Sequence, residues 1–133
     1  GMMDEQYMAR AYNAMDVLLS ATMSEGFGIP IIEAQACGTP VITTHCTSMP
    51  ELTFVGWSVP YQSKLWTPLN SWIYSPGVDA ITDALEQAYQ VRGNEARRAI
   101  AAHTIAKHFD WDVIARDYWI PFLNEIESSL PNA

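Results

Sequence analysis

Two short runs, DVLLSA (16–21) and PVITT (40–44), constrain the fold of this sequence most strongly. Each has strand length and is apolar on both faces of a pleat, the pattern of parallel strands covered by helices on either side. Between them stands IPIIEAQAC (29–37), which reads as a short helix. Pro30 suits its first turn, where a missing N–H would have no partner anyway, and Gly38 with Pro40 stops it. Ahead of the first run, residues 3–13 (MDEQYMARAYN) carry Tyr7, Met8, Ala11 and Tyr12 at helical spacing. The order helix, strand, loop, helix, strand predicts an α/β fold.

Downstream, residues 55–60 (VGWSVP) predict a third short strand, and residues 61–75 (YQSKLWTPLNSWIYS) fit no clear period. The last third reads as helical. Residues 78–92 set Ile81, Ala84, Leu85 and Ala88 on one face, and residues 94–108 carry Ala96, Ile100 and Ile105. Asp110 is placed to cap a third helix, in which Trp111, Ile114, Ala115, Tyr118, Phe122 and Ile126 form an apolar stripe. Pro121 should kink or interrupt that helix.

Composition narrows the class of function. The 133 residues are 49% hydrophobic and 17% charged, enough to bury the core of one domain or part of one. The net charge of -8 repels phosphate backbones and anionic surfaces, so nucleic acid is not an expected partner. Cys37 and Cys46 make neither a disulfide framework nor a zinc site and read as free thiols of a reducing, cytoplasmic compartment. His45, His103 and His108 have no metal-ligand spacing with them, and no metal site is expected. No uncharged apolar run has transmembrane length: residues 52–78 carry only Lys64, but Gly56, Pro60, Pro68 and Pro76 break them up. Six aromatic residues, Phe54, Trp57, Tyr61, Trp66, Trp72 and Tyr74, cluster there and are expected in core packing or an oligomer contact rather than in sugar stacking. The methionines form no stripe and read as core fillers.

The chemistry lies in residues 24–42, SEGFGIPIIEAQACGTPVI. Ligands of open α/β sheets bind at the carboxyl ends of strands, and the SEGFG loop follows such an end. Its glycines let backbone approach a ligand, and the amino end of the next helix favours phosphate oxygens. Glu25 lies in the loop and Glu33 about one turn into the helix, so both can face one crevice and accept hydrogen bonds from vicinal hydroxyls. Phosphate, ribose and a second hydroxyl-rich group together make a nucleotide sugar. Either Glu alone would be readable as a first-turn acid favoured by the helix dipole; the combination of acids, glycines, proline and flanking strands favours a ligand site.

The same stretch resembles the nucleotide-sugar motif of the retaining group 1 (family 4) glycosyltransferases of GT-B fold, with its two glutamates separated by seven residues. Glu25, Gly26, Phe27, Gly28, Pro30, Glu33, Ala34, Ala36, Gly38, Pro40 and Val41 match the pattern. MPEL (49–52), Gly56 with SVP (58–60) and FDW (109–111) are weaker echoes, and the resemblance covers residues 7–119. It implies a partial Rossmann-like parallel sheet flanked by helices, the latter part of a nucleotide-sugar-binding C-terminal domain filling residues 1–133. By resemblance Glu33 binds ribose hydroxyls and Glu25, the catalytic candidate, holds donor-sugar hydroxyls near the reacting carbon. The backbone amides of Phe27, Gly28 and Ile29, next to Gly26, lie beside sugar or diphosphate. The implied reaction keeps anomeric configuration by front-face attack, so neither Glu is a hydrolase-type nucleophile or acid. No cofactor is implied beyond the donor substrate.

The sequence departs from the pattern in three places. Ala21-Thr22 stands where the family usually has Pro-Ser, and Thr47-Ser48 stands where it often has glycines. The basic phosphate-binding residues expected upstream of the motif are represented only by Arg10. Gly1 before Met2 and Met3 reads as a cloning scar, which with the absent acceptor domain leads to the expectation of an inactive fragment of a longer enzyme. Exposed apolar surface on Trp111, Tyr118, Trp119 and Phe122, and an exposed strand edge at DVLLSA or its neighbour, lead to the expectation of a homodimer or higher oligomer. The parent is expected in the cytoplasm, with peripheral membrane association open. A nucleotide-sugar 2-epimerase of related fold and a non-catalytic binding domain are the alternatives; the run of matches argues against the first and retention of both acids against the second. A dinucleotide-binding domain would need G-x-G-x-x-G, and Ile31 stands at the third glycine.

Overall fold

The computed structural model describes residues 4–130, so the expected scar at Gly1, Met2 and Met3 lies outside the described residues. Helix α1 (Glu5–Asn13) starts at Asp4, whose carboxylate accepts from the Gln6 N–H at 2.8 Å. Strand β1 (Leu18–Ser20) follows, then α2 (Ile29–Ala36), β2 (Val41–Thr44), the single turn α3 (Met49–Leu52) and β3 (Gly56–Val59). The three strands form one parallel sheet in the order β1-β2-β3, with Leu18 opposite Val41 and Val41 opposite Gly56. All four residues of β2 are buried, as both-face apolarity requires of a central strand. β1 and β3 stand at the two edges of this sheet.

The core lies on both faces of β2. Tyr12, Ile31, Ala34, Val41, Met49 and Leu52 gather on the α1/α2 side. Ile42, Val59, Ala84 and Ala88 gather on the other, under helix α4 (Val78–Gln90). Buried Gln35 ties the first cluster together. Its amide donates to the carbonyls of Ile31 and Leu52, both at 2.8 Å, and its Oε1 accepts from the N–H groups of Phe54 (3.0 Å) and Val55 (2.9 Å). Helix α5 (Glu95–Phe109) packs across α2, and the Arg98 guanidinium donates to the carbonyls of Met15 (3.0 Å) and Asn13 (3.2 Å), fixing the turn from α1 into β1.

Residues 61–75, which show no sequence period, form an antiparallel hairpin of β4 (Tyr61–Trp66) and β5 (Trp72–Pro76). Its polar and apolar residues do not alternate because no residue of β4 is buried on either face, and a bulge between Tyr61 and Ser63 shifts the register. After α5, Asp110 caps α6 (Trp111–Ile114) as expected, accepting from the N–H groups of Asp112 and Val113. Pro121 acts through the turn before it: a π-helical segment, Ala115–Trp119, interrupts the helix, which resumes as α7 (Ile120–Ser129). Trp111, Tyr118, Trp119 and Phe122 of this arm are exposed.

Candidate functional site

The loop from β1 to α2 leaves the carboxyl edge of the sheet and is held there by its neighbours. Thr44 Oγ1, at the end of β2, donates to the Thr22 carbonyl at 2.7 Å, and the Tyr74 N–H of β5 donates to the Met23 carbonyl at 2.8 Å. Ser48 Oγ donates to the carbonyls of Phe27 (2.9 Å) and Glu25 (3.3 Å), while the Glu25 N–H donates to Thr47 Oγ1 at 3.2 Å. Thr47 adopts φ 51°, in the left-handed region that disfavours a β-branched residue. That accounts for glycine at the corresponding place in the resembling family. Here the strained backbone supplies a hydroxyl in exchange.

Gly28 makes the turn into α2. Its φ of 94° suits glycine, and a Cβ there would sit 2.9 Å from Ile31 Cδ1. α2 has no side-chain cap, and the N–H groups of Phe27, Gly28 and Ile29 have no protein partner among the described residues. Three unpartnered donors at a helix amino end, those of exposed Phe27 and Ile29 and of buried Gly28, lie in the same loop as the half-buried Glu25 side chain, an arrangement suited to anionic and hydroxyl groups. The Glu25 carboxylate accepts no hydrogen bond among the described residues, whose bonds to Glu25 run through its backbone.

Glu33 occupies the second turn of α2 and faces α1. Tyr12 donates its hydroxyl to Glu33 Oε2 at 2.9 Å, and the pair, with Glu5, Met8, Ala9, Ala36 and Cys37, lines a cavity of about 380 Å³. Burial, then the hydrogen bond to Glu33 and its negative charge, push the Tyr12 hydroxyl from 10.0 up to about 12. Burial and the Glu33 charge also push the Cys37 thiol up. Neither Lys nor Arg lines this cavity, and Glu25 does not line it either. Gly26, Phe27, Gly28 and Ile29 thus share one loop with Glu25, whereas Glu33 is set apart on the side of α2 facing α1.

Three contributors do not stand out in the sequence. In the sequence Tyr12 reads only as part of an apolar stripe, although a buried tyrosine needs a partner for its hydroxyl. Thr47 and Ser48 read there as a departure from the family pattern, whereas in the fold they anchor the loop. His45 is exposed, with Nδ1 2.9 Å from Ser58 Oγ, and Cys46 is buried with Sγ 3.7 Å from the Met23 carbonyl. Phe54 stacks on His108, and Tyr74 packs against the core, whereas Trp66 and Trp72 are exposed. No group of three or more His, Cys, Asp or Glu side chains among the described residues could hold a metal ion.

Comparison with known proteins bears directly on this loop. The family model described as glycosyl transferases group 1 matches residues 1–91, an interval that contains the loop, both glutamates and the whole parallel sheet. The chain belongs to the glycosyl transferases group 1. Among curated relatives of this group 1 chain, a D-inositol 3-phosphate glycosyltransferase of Mycobacterium leprae is 29% identical over 107 residues, covering 79% of the chain and 22% of the relative. An O-antigen chain mannosyltransferase B of Escherichia coli is 36% identical over 52 residues, 39% of the chain and 14% of the relative. An uncharacterized glycosyltransferase of Sulfolobus islandicus rod-shaped virus 1 is 35% identical over 64 residues, 48% of the chain and 19% of the relative. The group 1 chain spans about a fifth or less of the length of these relatives. No solved structure gives a significant match. No helix among the described residues is long and apolar enough to cross a membrane.

Proposed function

We propose that this chain supplies the donor half-site of a retaining glycosyltransferase that moves a sugar from a nucleotide diphosphate to an acceptor. The observation that carries the reading is the Gly28 turn: it leaves the N–H groups of Phe27, Gly28 and Ile29 free beside the unpartnered Glu25 carboxylate, inside a group 1 segment. In this reading the three amides and Gly26 receive diphosphate or sugar oxygens, and Glu25 accepts from donor-sugar hydroxyls. Glu33 accepts from the ribose hydroxyls through the oxygen that Tyr12 does not engage. Catalysis is then mostly positioning of the donor and stabilisation of the leaving diphosphate, whose oxygen takes the acceptor's proton in a front-face attack.

The reading has an electrostatic consequence. Arg10 is the only Lys or Arg before the motif, and its Nε donates to the Gln6 carbonyl on α1. No Lys or Arg side chain among the described residues hydrogen-bonds or ion-pairs with the loop. A polypeptide of these residues alone should therefore hold the diphosphate weakly and not transfer sugar, the transfer being the work of a longer enzyme with an acceptor domain. By itself the chain should associate through the β1 edge or the exposed α6–α7 arm into a dimer or higher oligomer. A cytoplasmic setting fits the two free thiols.

Ligand-observed NMR with uridine, guanosine and adenosine diphosphate sugars tests the assignment. Binding of one series, lost in Glu33→Ala and kept for the bare nucleoside diphosphate in Glu25→Ala, is the expected pattern. Binding that survives Glu33→Ala for every series would overturn the ribose role.

A further inference from the structure

The base of the β4–β5 hairpin braces the donor loop through Tyr74, but its tip makes no hydrogen bond to that loop, and its composition is unlike that of the rest of the chain. The protein carries 15 Asp and Glu residues, yet none lies between residues 52 and 78, where Lys64 is the only charge. The hairpin tip is exposed and apolar: Leu65 is 63% exposed, Trp66 54%, Leu69 87% and Trp72 42%. Register pairs Leu65 with Ile73 and Trp66 with Trp72, so neighbouring pairs point to opposite faces. The strand ends are therefore apolar on both faces, and Leu69 stands exposed at the apex beside the polar Thr67, Asn70 and Ser71. A flat docking surface or a sugar platform would need one such face; apolar side chains on both faces with polar groups at the turn suit a tip that enters the interfacial layer of a bilayer.

Part of the turn's polar groups is paired within the segment. The Thr67 N–H donates to the Ser71 carbonyl at 2.9 Å, the Asn70 N–H donates to the Thr67 carbonyl at 3.1 Å, and the Thr67 and Ser71 hydroxyls meet at 3.0 Å. These pairings lower the cost of partial dehydration, while the Asn70 side chain, exposed and without a protein partner among the described residues, keeps the apex in the hydrated headgroup layer. Trp66 and Trp72 pack edge to face with centroids 5.2 Å apart, and Lys64 Nζ lies 4.7 Å from the Trp72 ring, one step down the strand. Tryptophans with a neighbouring lysine form the belt found at the headgroup level of membrane proteins.

We propose that the β4–β5 hairpin is a finger that inserts Leu65, Trp66, Leu69 and Trp72 into the headgroup region of a lipid bilayer. From Leu65 to the apex the reach is roughly 10 Å at strand rise, comparable with the burial depth of interfacial amphipathic elements. The net charge of -8 opposes anionic surfaces at long range, so the interaction is apolar and its surface zwitterionic. The other large apolar surface, α6–α7, does not qualify, because Asp110, Asp112, Asp117, Glu125 and Glu127 are interspersed with its aromatic residues. This inference stands independently of the donor-site assignment. The Tyr74 bond to Met23 at the hairpin's base connects the finger to the loop of Glu25.

Co-sedimentation with phosphatidylcholine vesicles tests it. The wild-type chain should sediment with the vesicles and do so equally at high salt, since exposed charges contribute little to the contact. Leu69→Glu should weaken partitioning on the order of tenfold, and Lys64→Gln should leave it within about twofold. Vesicles with brominated acyl chains should quench tryptophan emission in the wild type and much less in the Trp66→Phe, Trp72→Phe double variant, which preserves the aromatic packing. A wild type that stays in the supernatant overturns the proposal, as does a folded Leu69→Glu variant that sediments like wild type. Binding of maltohexaose lost in Trp66→Ala, without vesicle binding, would instead make the tip a sugar platform. A dimer dissolved by Leu69→Glu, again without vesicle binding, would make it a self-contact.

Discussion

Tyr12 and Glu33, from two different helices, meet at 2.9 Å with the tyrosine donating. The bond joins α1 to α2 and leaves one carboxylate oxygen of Glu33 uncommitted. Tyr12→Phe keeps the ring in the core and removes only the donor. Stability should fall by about 1–2 kcal/mol, the range for a hydrogen bond to a charged acceptor that is partly solvated. Donor binding should weaken several-fold because Glu33 loses its orientation. Urea unfolding and a donor titration read the two effects separately.

The same pair sets an alkaline limit on stability. The Tyr12 hydroxyl titrates at 10.0 when free and at about 12 in the fold, so the folded state disfavours the tyrosinate. Its stabilisation is complete below pH 10 and is lost as the pH rises towards 12. Unfolding midpoints should drop over this window in the wild type and less steeply in Tyr12→Phe. Equal slopes would show that the pair does not control this titration.

Ser48 tests whether the loop is held by its hydroxyl anchors. Ser48→Ala removes the donor to the carbonyls of Phe27 and Glu25 at a half-buried position. The expected loss is about 1 kcal/mol of global stability. Amide hydrogen exchange should rise specifically at residues 25–29 and donor affinity should fall.

Gln35 makes four hydrogen bonds with one buried side chain. Gln35→Leu leaves the N–H groups of Phe54 and Val55 and the Leu52 carbonyl without partners, at roughly 3 kcal/mol or more. Chemical denaturation should show a loss well above that of Ser48→Ala.

Gly56 brings two strands together. A Cβ at this position would lie 1.9 Å from the Val41 carbonyl oxygen. The clash is with backbone, so no rotamer relieves it, and Gly56→Ala should cost more than about 4 kcal/mol, in the range reserved for broken cores. Loss of the folded circular-dichroism spectrum at room temperature is the expected result.

The sequence reveals local punctuation and central burial more readily than it reveals partners. Pro30, Gly38 and Asp110 mark helix ends through rules that act within one turn, and both-face apolarity identifies β2 because that strand is buried on both sides. The hairpin escapes such reading because its strands are exposed, and period emerges only where one face is hidden. Tyr12 with Glu33 and Ser48 with Phe27 are pairs 21 residues apart, joined by folding and not by any local pattern. Glu25 and Glu33 are legible as a motif, but the setting of Glu33 against α1, away from the Glu25 loop, depends on how two helices pack.

The most direct measurement of the central claim is a titration of the nitrogen-labelled chain with nucleotide diphosphate sugars, followed by amide shifts. The donor half-site predicts that one nucleotide series moves the amides of Gly26, Phe27, Gly28 and Ile29, and that Glu33→Ala suppresses those shifts. If the nucleotide sugars bind but leave these four amides unmoved, the SEGFG loop is not the donor site.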